Sequence, residues 1–393
     1  MFHHNHHVSL SRLLNSSMSN VYFFETAFMF VKSLIGIFIP LYLYSLGFNM
    51  FLVILFVILA SGVKLFLTPL SIWILNKVGF KWTLFLSIPV YLLFLYLVSF
   101  IEYSMSFYVL SILCLSLYFA LFWPAMQAEI AYGSKGDNKK IGNLQLLITL
   151  VTSLAPVIGG FILEFYSYEI TLILAFILLS VSSIPLILSK DIPLKKIQFN
   201  YYTIVQYFRF KKNRTNKPFI GEGIEEVLVL LIAPLIFFIL LRENFATLGS
   251  VLTIISYLTI IFVVVFKKFI VKYPKRKSLK TTSRIFSSSW IFRVFAFYIG
   301  GPIIFISEGI DKMLGKAFYI TYMSVFFDVK DTDKLFDYIM QREIIISLTK
   351  LLFGAFILVL ITIFGESLEL LIFILLIGIY ASLLKGILAD VSR

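Results

Sequence analysis

The sequence predicts an all-α membrane protein of twelve transmembrane helices with both termini on the cytoplasmic side. Three observations carry that reading. Of the 393 residues 60% are hydrophobic and 14% charged, and 43 are phenylalanine, more apolar surface than a soluble core of this length buries. Twelve long apolar stretches follow one another, at about 22–45, 51–75, 80–100, 106–128, 141–163, 169–188, 219–241, 244–266, 283–299, 302–325, 343–364 and 368–388. A run of ~20 such residues spans the ~30 Å hydrocarbon core of a bilayer. The connecting segments alternate between strongly basic and almost free of positive charge, with Arg242 the one basic residue of the second set. Lysine and arginine gather on the cytoplasmic side, so this alternation sets the topology. The net charge of +13 then belongs to one membrane face and is no nucleic-acid footprint.

Taken in chain order, residues 1–21 read as a cytoplasmic tail. They hold all four histidines, His3, His4, His6 and His7, a composition able to bind a divalent metal, but a solvated tail is the simpler reading and no metal site is assigned. No basic region, short apolar core and small-residue cleavage site precede the first stretch, so the first helix is expected to remain in the mature protein. Lys32 lies near mid-depth in the first stretch and Lys64 in the second. Cys114, the lone cysteine, sits inside the fourth, which excludes an intramolecular disulfide or a cysteine-built metal cluster. Glu222, Glu225 and Glu226 open the seventh stretch, where acidic residues favour a helix amino terminus and face the lysines between the eighth and ninth, a structural role first and a gating salt bridge second.

Further deep charges follow: Arg293 in the ninth stretch, Glu308, Asp311 and Lys312 in the tenth, Lys350 in the eleventh, with Glu25 of the first nearer the cytoplasmic end. An ionisable group there costs at least about 2.5 kcal/mol, so it faces the helix-bundle interior or a watery cavity and has a partner. Glu308, Asp311, Lys312, Gly315, Lys316 and Tyr319 recur at three- and four-residue spacing and share one helix face, where Glu308 and Lys312 can pair. Five deep cations against two deep anions point to a site that holds an anion, with Lys32, Arg293 or Lys312 as direct partners. The competing reading is a set of structural ion pairs such as Asp311 with Arg293. For proton coupling Glu308 and Asp311 are the best-placed carboxylates, Asp311 first. The mixed segment 328–342 reads as a short interfacial helix.

The longest polar interruption, Ser189 to Lys217, divides six stretches from six, and each half repeats a basic turn at the same place. The first reads Asn76-Lys77-Val78-Gly79-Phe80-Lys81 and the second Val271-Lys272-Tyr273-Pro274-Lys275-Arg276, half a chain apart, as duplication requires. With these segments the chain resembles the major facilitator superfamily of secondary transporters over essentially its full length. That family's loop reads roughly G-x-L-A-D-R-x-G-R-R; Lys77, Gly79 and Lys81 match it, while Ile72 and Asn76 replace its glycine and aspartate and Val271 stands at the aspartate's place in the second copy. Ala155-Pro156-Val157-Ile158-Gly159-Gly160 is similar to the G-P-x-x-G-G core of the antiporter motif. Proline cannot donate to the helix ladder and glycine lacks bulk, so a bend and a close packing contact are expected there. Phe122-Trp123-Pro124-Ala125-Met126-Gln127 is also familiar from the superfamily, without the arginine of its drug-proton antiporters.

The resemblance implies two pseudo-symmetric six-helix bundles, 22–188 and 219–393, joined by a basic cytoplasmic linker, 189–218. It also implies a central cavity lined by the first, fourth, seventh and tenth helices, gathering Lys32, the tenth-helix stripe, Trp123 and Gln127 near the membrane midplane. The expected function is transport of a small solute, in first place an organic anion, by alternating access in a cytoplasmic membrane, coupled to an ion gradient such as protons. The chain is expected to act as a monomer with no bound cofactor. Other readings are a multidrug or sugar exporter of the same superfamily, or a transport-inactive receptor or scaffold. An enzyme is disfavoured: there is no nucleotide-binding glycine loop, every histidine lies in the tail, and Cys114 has no histidine beside it.

Overall fold

Glycine, proline and asparagine punctuate the apolar stretches, and they set where each helix begins and breaks. The computed structural model describes residues 17–134, 138–188, 216–270, 273–328 and 332–391, and all regular structure among them is helical. The histidine tail, the linker from Ser189 to Thr215 and the loop residue Lys272 lie outside the described residues.

Helix α1 covers 17–45 in three pieces: Ser17–Val31, a π-turn at Lys32–Gly36, and Ile39–Ser45, which starts with Pro40 in its first turn. The Met50–Val98 run is two helices, α2 (50–78) and α3 (80–98), separated at Gly79, whose φ of 86° is one that a residue with a side chain rarely adopts. The turn motif's glycine is thus a backbone requirement. Helix α4 is Met105–Ser134, and α5 (138–165) breaks after Thr152 and restarts at Ala155 with Pro156 in the first turn. Helix α6 is Tyr168–Leu188.

The second half repeats the plan. Helix α7 (216–240) has its own π-turn at Leu228–Ile232, followed by Pro234, as α1 has at Lys32 and Pro40. Helices α8 (Phe245–Ile270), α9 (Lys275–Ile299), α10 (Pro302–Phe326), α11 (Thr332–Phe364) and α12 (368–391) follow. Among the described residues nine helical stretches are long and apolar enough to cross a membrane, Met50–Val98 counting as one. Helices α9 and α10 fall outside that count; α10 carries Glu308, Asp311, Lys312 and Lys316 within its length.

One expectation is corrected here. The segment 328–342 is no separate interfacial helix, because from Thr332 onward it is the first part of α11. Its apolar residues Leu335, Phe336, Ile339 and Met340 are buried, which a helix lying on a membrane surface would not achieve. Helix α11 therefore starts eleven residues before the apolar stretch that announced it.

The two halves of the chain meet along α2 with α11 and α5 with α8. At the second contact a Cβ on Gly160 would overlap the Phe245 carbonyl, and one on Gly249 would overlap that of Pro156. The restart of α5 leaves amide groups without helical acceptors, and Thr253 of α8 accepts one of them, Val157 N–H, at 3.1 Å. The motif that predicted a bend and close packing delivers both, against the other half.

Two carboxylates tie the ends of these helices. Glu164, at the end of α5, accepts from Asn244 Nδ2 (2.8 Å) and Phe245 N (2.9 Å) at the start of α8. Glu366, just past α11, accepts from Met50 N (3.1 Å) and Phe51 N (3.3 Å) at the start of α2. Each start also has an asparagine cap, Asn49 Oδ1 accepting from Leu52 N (3.0 Å) and Asn244 Oδ1 from Thr247 N (2.6 Å). These contacts gather at one end of the molecule. At the other, Phe80 meets Tyr132 and Phe336, and this end carries the basic turns.

Candidate functional site

The π-turns of α1 and α7 flank a cavity of about 350 Å³ between the two halves. Irregular backbone inside an apolar helix persists where it is packed in protein or lines a cavity, and π-turns recur at functional positions. Lys32 starts the α1 turn and Glu226 lies two residues before the α7 turn begins; both side chains line the cavity. Lys312 of α10 and Lys350 of α11 complete its charged lining. Lys350 pairs with Glu226, and Lys32 holds its Nζ 4.3 Å from the centroid of the Trp123 ring. The opposing wall is aromatic: Phe56, Tyr91, Phe94, Tyr118 and Phe119.

Beneath the cavity, toward the basic end, lies a second, drier layer. Lys64 pairs with Glu343 at 2.6 Å, and Gln127 Nε2 donates to the same carboxylate at 3.3 Å. Arg342 donates twice to Glu222, from Nε at 2.8 Å and Nη2 at 2.6 Å, and from Nη1 to Glu343 at 2.8 Å. Tyr322 adds a bond to Glu222 at 2.9 Å. This network crosses between halves through Lys64 and Gln127, and Lys316 crosses as well, donating to Gln145 at 2.9 Å. Glu25 is buried at this level with Oε2 lacking a hydrogen-bond partner.

A third group stays within the second half. Arg293 donates to Glu308 from Nε at 2.6 Å and to Asp311 from Nη1 at 3.1 Å, and Ser289 donates to the other Asp311 oxygen at 3.0 Å. Glu308 is thus engaged by Arg293 from α9, and the Asp311–Arg293 pair that competed with a direct anion role for Arg293 is present.

The structure therefore brings Lys32, Lys312 and Lys350 to one cavity, with Trp123 beneath Lys32. Lys64 and Gln127 lie in the layer below, and Arg293, Glu308 and Asp311 stand together on the α9–α10 seam. Around the basic turns, Lys77 lies over Trp73 (5.1 Å), Lys81 donates to the Ile187 carbonyl (2.5 Å), Lys275 pairs with Asp328 (2.9 Å), Asn76 is engaged, and Arg276 is exposed. The fifth-helix residues Pro156, Gly159 and Gly160 shape helix contacts and do not line the cavity.

Reasoning from the sequence placed Glu222, Glu225 and Glu226 at a helix start and Arg342 on an interfacial helix, and named neither Glu343 nor Lys385; the structure puts all six in ion pairs, Lys385 with Glu225 at 2.6 Å among them. The count of five deep cations against two deep anions is corrected accordingly. Helix α7 starts at Asn216, before the apolar stretch begins, so Glu222, Glu225 and Glu226 lie two turns inside it rather than at its dipole end. The usable signal was their three- and four-residue spacing, the mark of a single helix face.

No protein-family model matches the chain, and no curated protein matches it by sequence. Solved structures do. The transporter FucP in the outward conformation superposes with a TM-score of 0.68 at 10% identity, covering 97% of this chain and 100% of that one. The human organic anion transporter MFSD10 gives 0.71 at 10% identity over the same shares. The nucleoside transporter NupG gives 0.64 at 14% identity, over 95% and 98%. The chain has the fold of major facilitator superfamily transporters, a multi-pass membrane fold.

Proposed function

From that fold, closed around a cavity rich in lysine, we propose that the chain is a secondary transporter of a small organic anion, working by alternating access in a cytoplasmic membrane. In this reading twelve spans form two six-helix bundles, 22–188 and 219–393, and the basic end faces the cytoplasm. One chain contains one pathway, so it acts as a monomer. The observation that carries the proposal is the cavity itself, which lies between the halves with Lys32, Lys312 and Lys350 on its wall and Glu226 as the one carboxylate there. Contacts between halves stand on both sides of it: the Glu164 and Glu366 caps at one end, Lys64 and Gln127 on Glu343 and Lys316 on Gln145 toward the other. Rocking the halves would break one set while the other holds.

Organic anion transport is the stated activity of MFSD10, one of the fold neighbours, and fits this lining. For coupling to protons, Glu25 is a better candidate than Asp311. Asp311 is held by Arg293 and Ser289, whereas Glu25 is buried with an oxygen open to a proton.

The test is uptake into proteoliposomes under an imposed proton gradient, with pooled radiolabelled anions and neutral metabolites. Gradient-driven movement of an anion, lost in Lys32→Gln, is expected. Movement of neutral or cationic compounds alone would overturn the anion reading, and silence across the pool would favour a receptor on a transporter fold.

A further inference from the structure

The charged side chains that the described structure buries between the helix ends sort into groups by what they touch. Lys64 and Arg342 face Glu222 and Glu343. Arg293, with Lys312 beside it, faces Glu308 and Asp311. Lys385 takes Glu225, and Lys316 lies within coulombic reach of Glu25. Glu129, near the basic end of α4, is also engaged and belongs to none of these pairs. Each of the four groups holds as many carboxylates as cations. The fifth does not: Lys32 and Lys350 share the single carboxylate Glu226, and all three line the cavity; Lys312 lines it too, but stands one helical turn from Glu308 and is counted with that carboxylate's group.

A buried ammonium without a counter-charge is expensive, and the Trp123 face under Lys32 compensates it only in part. One positive charge is thus left over on the wall of this cavity. The rest of the lining narrows what that solute is. It contains no Asn, Gln, Asp, Arg or His, and its hydroxyl groups are those of Ser33, Ser61, Tyr91 and Tyr118. A sugar needs several directed donors and acceptors, and this wall does not supply them; lysines can hold a phosphate as point charges, but a phosphate dianion exceeds the one spare positive charge. It offers rings instead, and the Tyr118 hydroxyl, buried without a partner, offers one hydrogen bond.

Building on the transporter reading, we propose that the substrate is an amphipathic monoanion: one carboxylate-type group received between Lys32 and Lys350 beside Glu226, with an apolar, preferably aromatic body against Phe56, Tyr91, Phe94 and Phe119. Binding completes the charge pairing of the fifth group. A cavity of about 350 Å³ suits a single-ring acid.

The experiment uses four matched probes with the purified full chain: 3-phenylpropanoate, its amide, the dianion benzylmalonate, and glucose. Binding is read as a thermal shift in detergent and transport as uptake into proteoliposomes. The parent should prefer phenylpropanoate over the other three by about tenfold or more, ~1.4 kcal/mol per decade. Glu226→Gln leaves two cations unmatched and should shift the preference toward benzylmalonate by a similar factor. Lys32→Gln removes the excess, so the amide should compete as well as the acid. These readouts are ratios between probes, so a lower yield of folded protein does not mimic them. A parent that prefers the dianion, the amide or glucose, an unchanged ratio in Glu226→Gln, or no binding of phenylpropanoate overturns the proposal. Preference for another probe with uptake intact leaves the transporter reading standing, whereas binding without uptake of any probe sinks that reading and keeps the site.

Discussion

The two halves of this chain share a plan and differ in what fills them. In the N-terminal half, rings occupy the interior beside the cavity: Phe28 stacks on Phe122 with centroids 4.3 Å apart, and Tyr91 lies 4.6 Å from Tyr118. In the C-terminal half the equivalent space holds ions, Arg293 with Glu308 and Asp311, Arg342 with Glu222 and Glu343, and Lys385 with Glu225. The contrast teaches that two different energetics can support one helical scaffold. An aromatic pair adds about 0.5–1.5 kcal/mol beyond its buried area, and neighbours can relax when one ring is trimmed. A buried ion network is less forgiving, because removing one member strands its partners in a dry interior. The apolar half supplies a shaped wall, and the ionic half supplies a fixed electrostatic field.

The largest effect should come from breaking the ionic half at its centre. Arg342→Met leaves Glu222 without its two guanidinium bonds and removes one from Glu343, for an expected loss of about 3–5 kcal/mol, read as a lowered melting temperature in detergent. Adding Glu222→Met should restore part of that loss, since an apolar pair in the same space needs no counter-charge. Trimming the aromatic half is milder: Phe122→Leu, a modest change in shape at a fully buried site, should cost about 1–1.5 kcal/mol. If it melts below Arg342→Met, the contrast between the halves is wrong. The smallest effect belongs to an exposed pair of the same chemistry. Lys280 and Asp390 meet at 2.5 Å with about half of each side chain in solvent, so Lys280→Gln should change stability by no more than about 1 kcal/mol, less in high salt. A larger loss would mean that burial is not what separates strong from weak pairs here.

Much of the scaffold was legible because lipid imposes a length and polarity rule on every span. The predicted stretches at 106–128, 169–188 and 302–325 sit inside helices observed at Met105–Ser134, Tyr168–Leu188 and Pro302–Phe326, and 244–266 overhangs Phe245–Ile270 by its first residue alone. Gly79 and the Pro156 segment were readable as well, since each is demanded by backbone geometry. Lys32, Lys312 and Lys350 announced themselves as charges out of place. Their counterpart Glu226 was visible but read as a helix-start residue, because hydropathy marks the apolar middle of a helix and α7 begins before that middle. Arg342 was misplaced in the same way, onto a surface helix, because α11 begins before its apolar stretch, at whose first position Glu343 stands. The π-turns at Lys32–Gly36 and Leu228–Ile232 depend on hydrogen-bond register, on which side-chain polarity is silent.

The glutamate at the end of α5 caps α8 in the other half, and the one after α11 returns the gesture to α2, each beside an asparagine that caps the same helix start. Fold the two halves onto each other and the two contacts become one. Two copies of a half-length ancestor carrying that glutamate and that asparagine would have met through this contact twice, as the partners of an isologous dimer do. In these terms, what now joins two parts of one polypeptide has the form of a subunit interface.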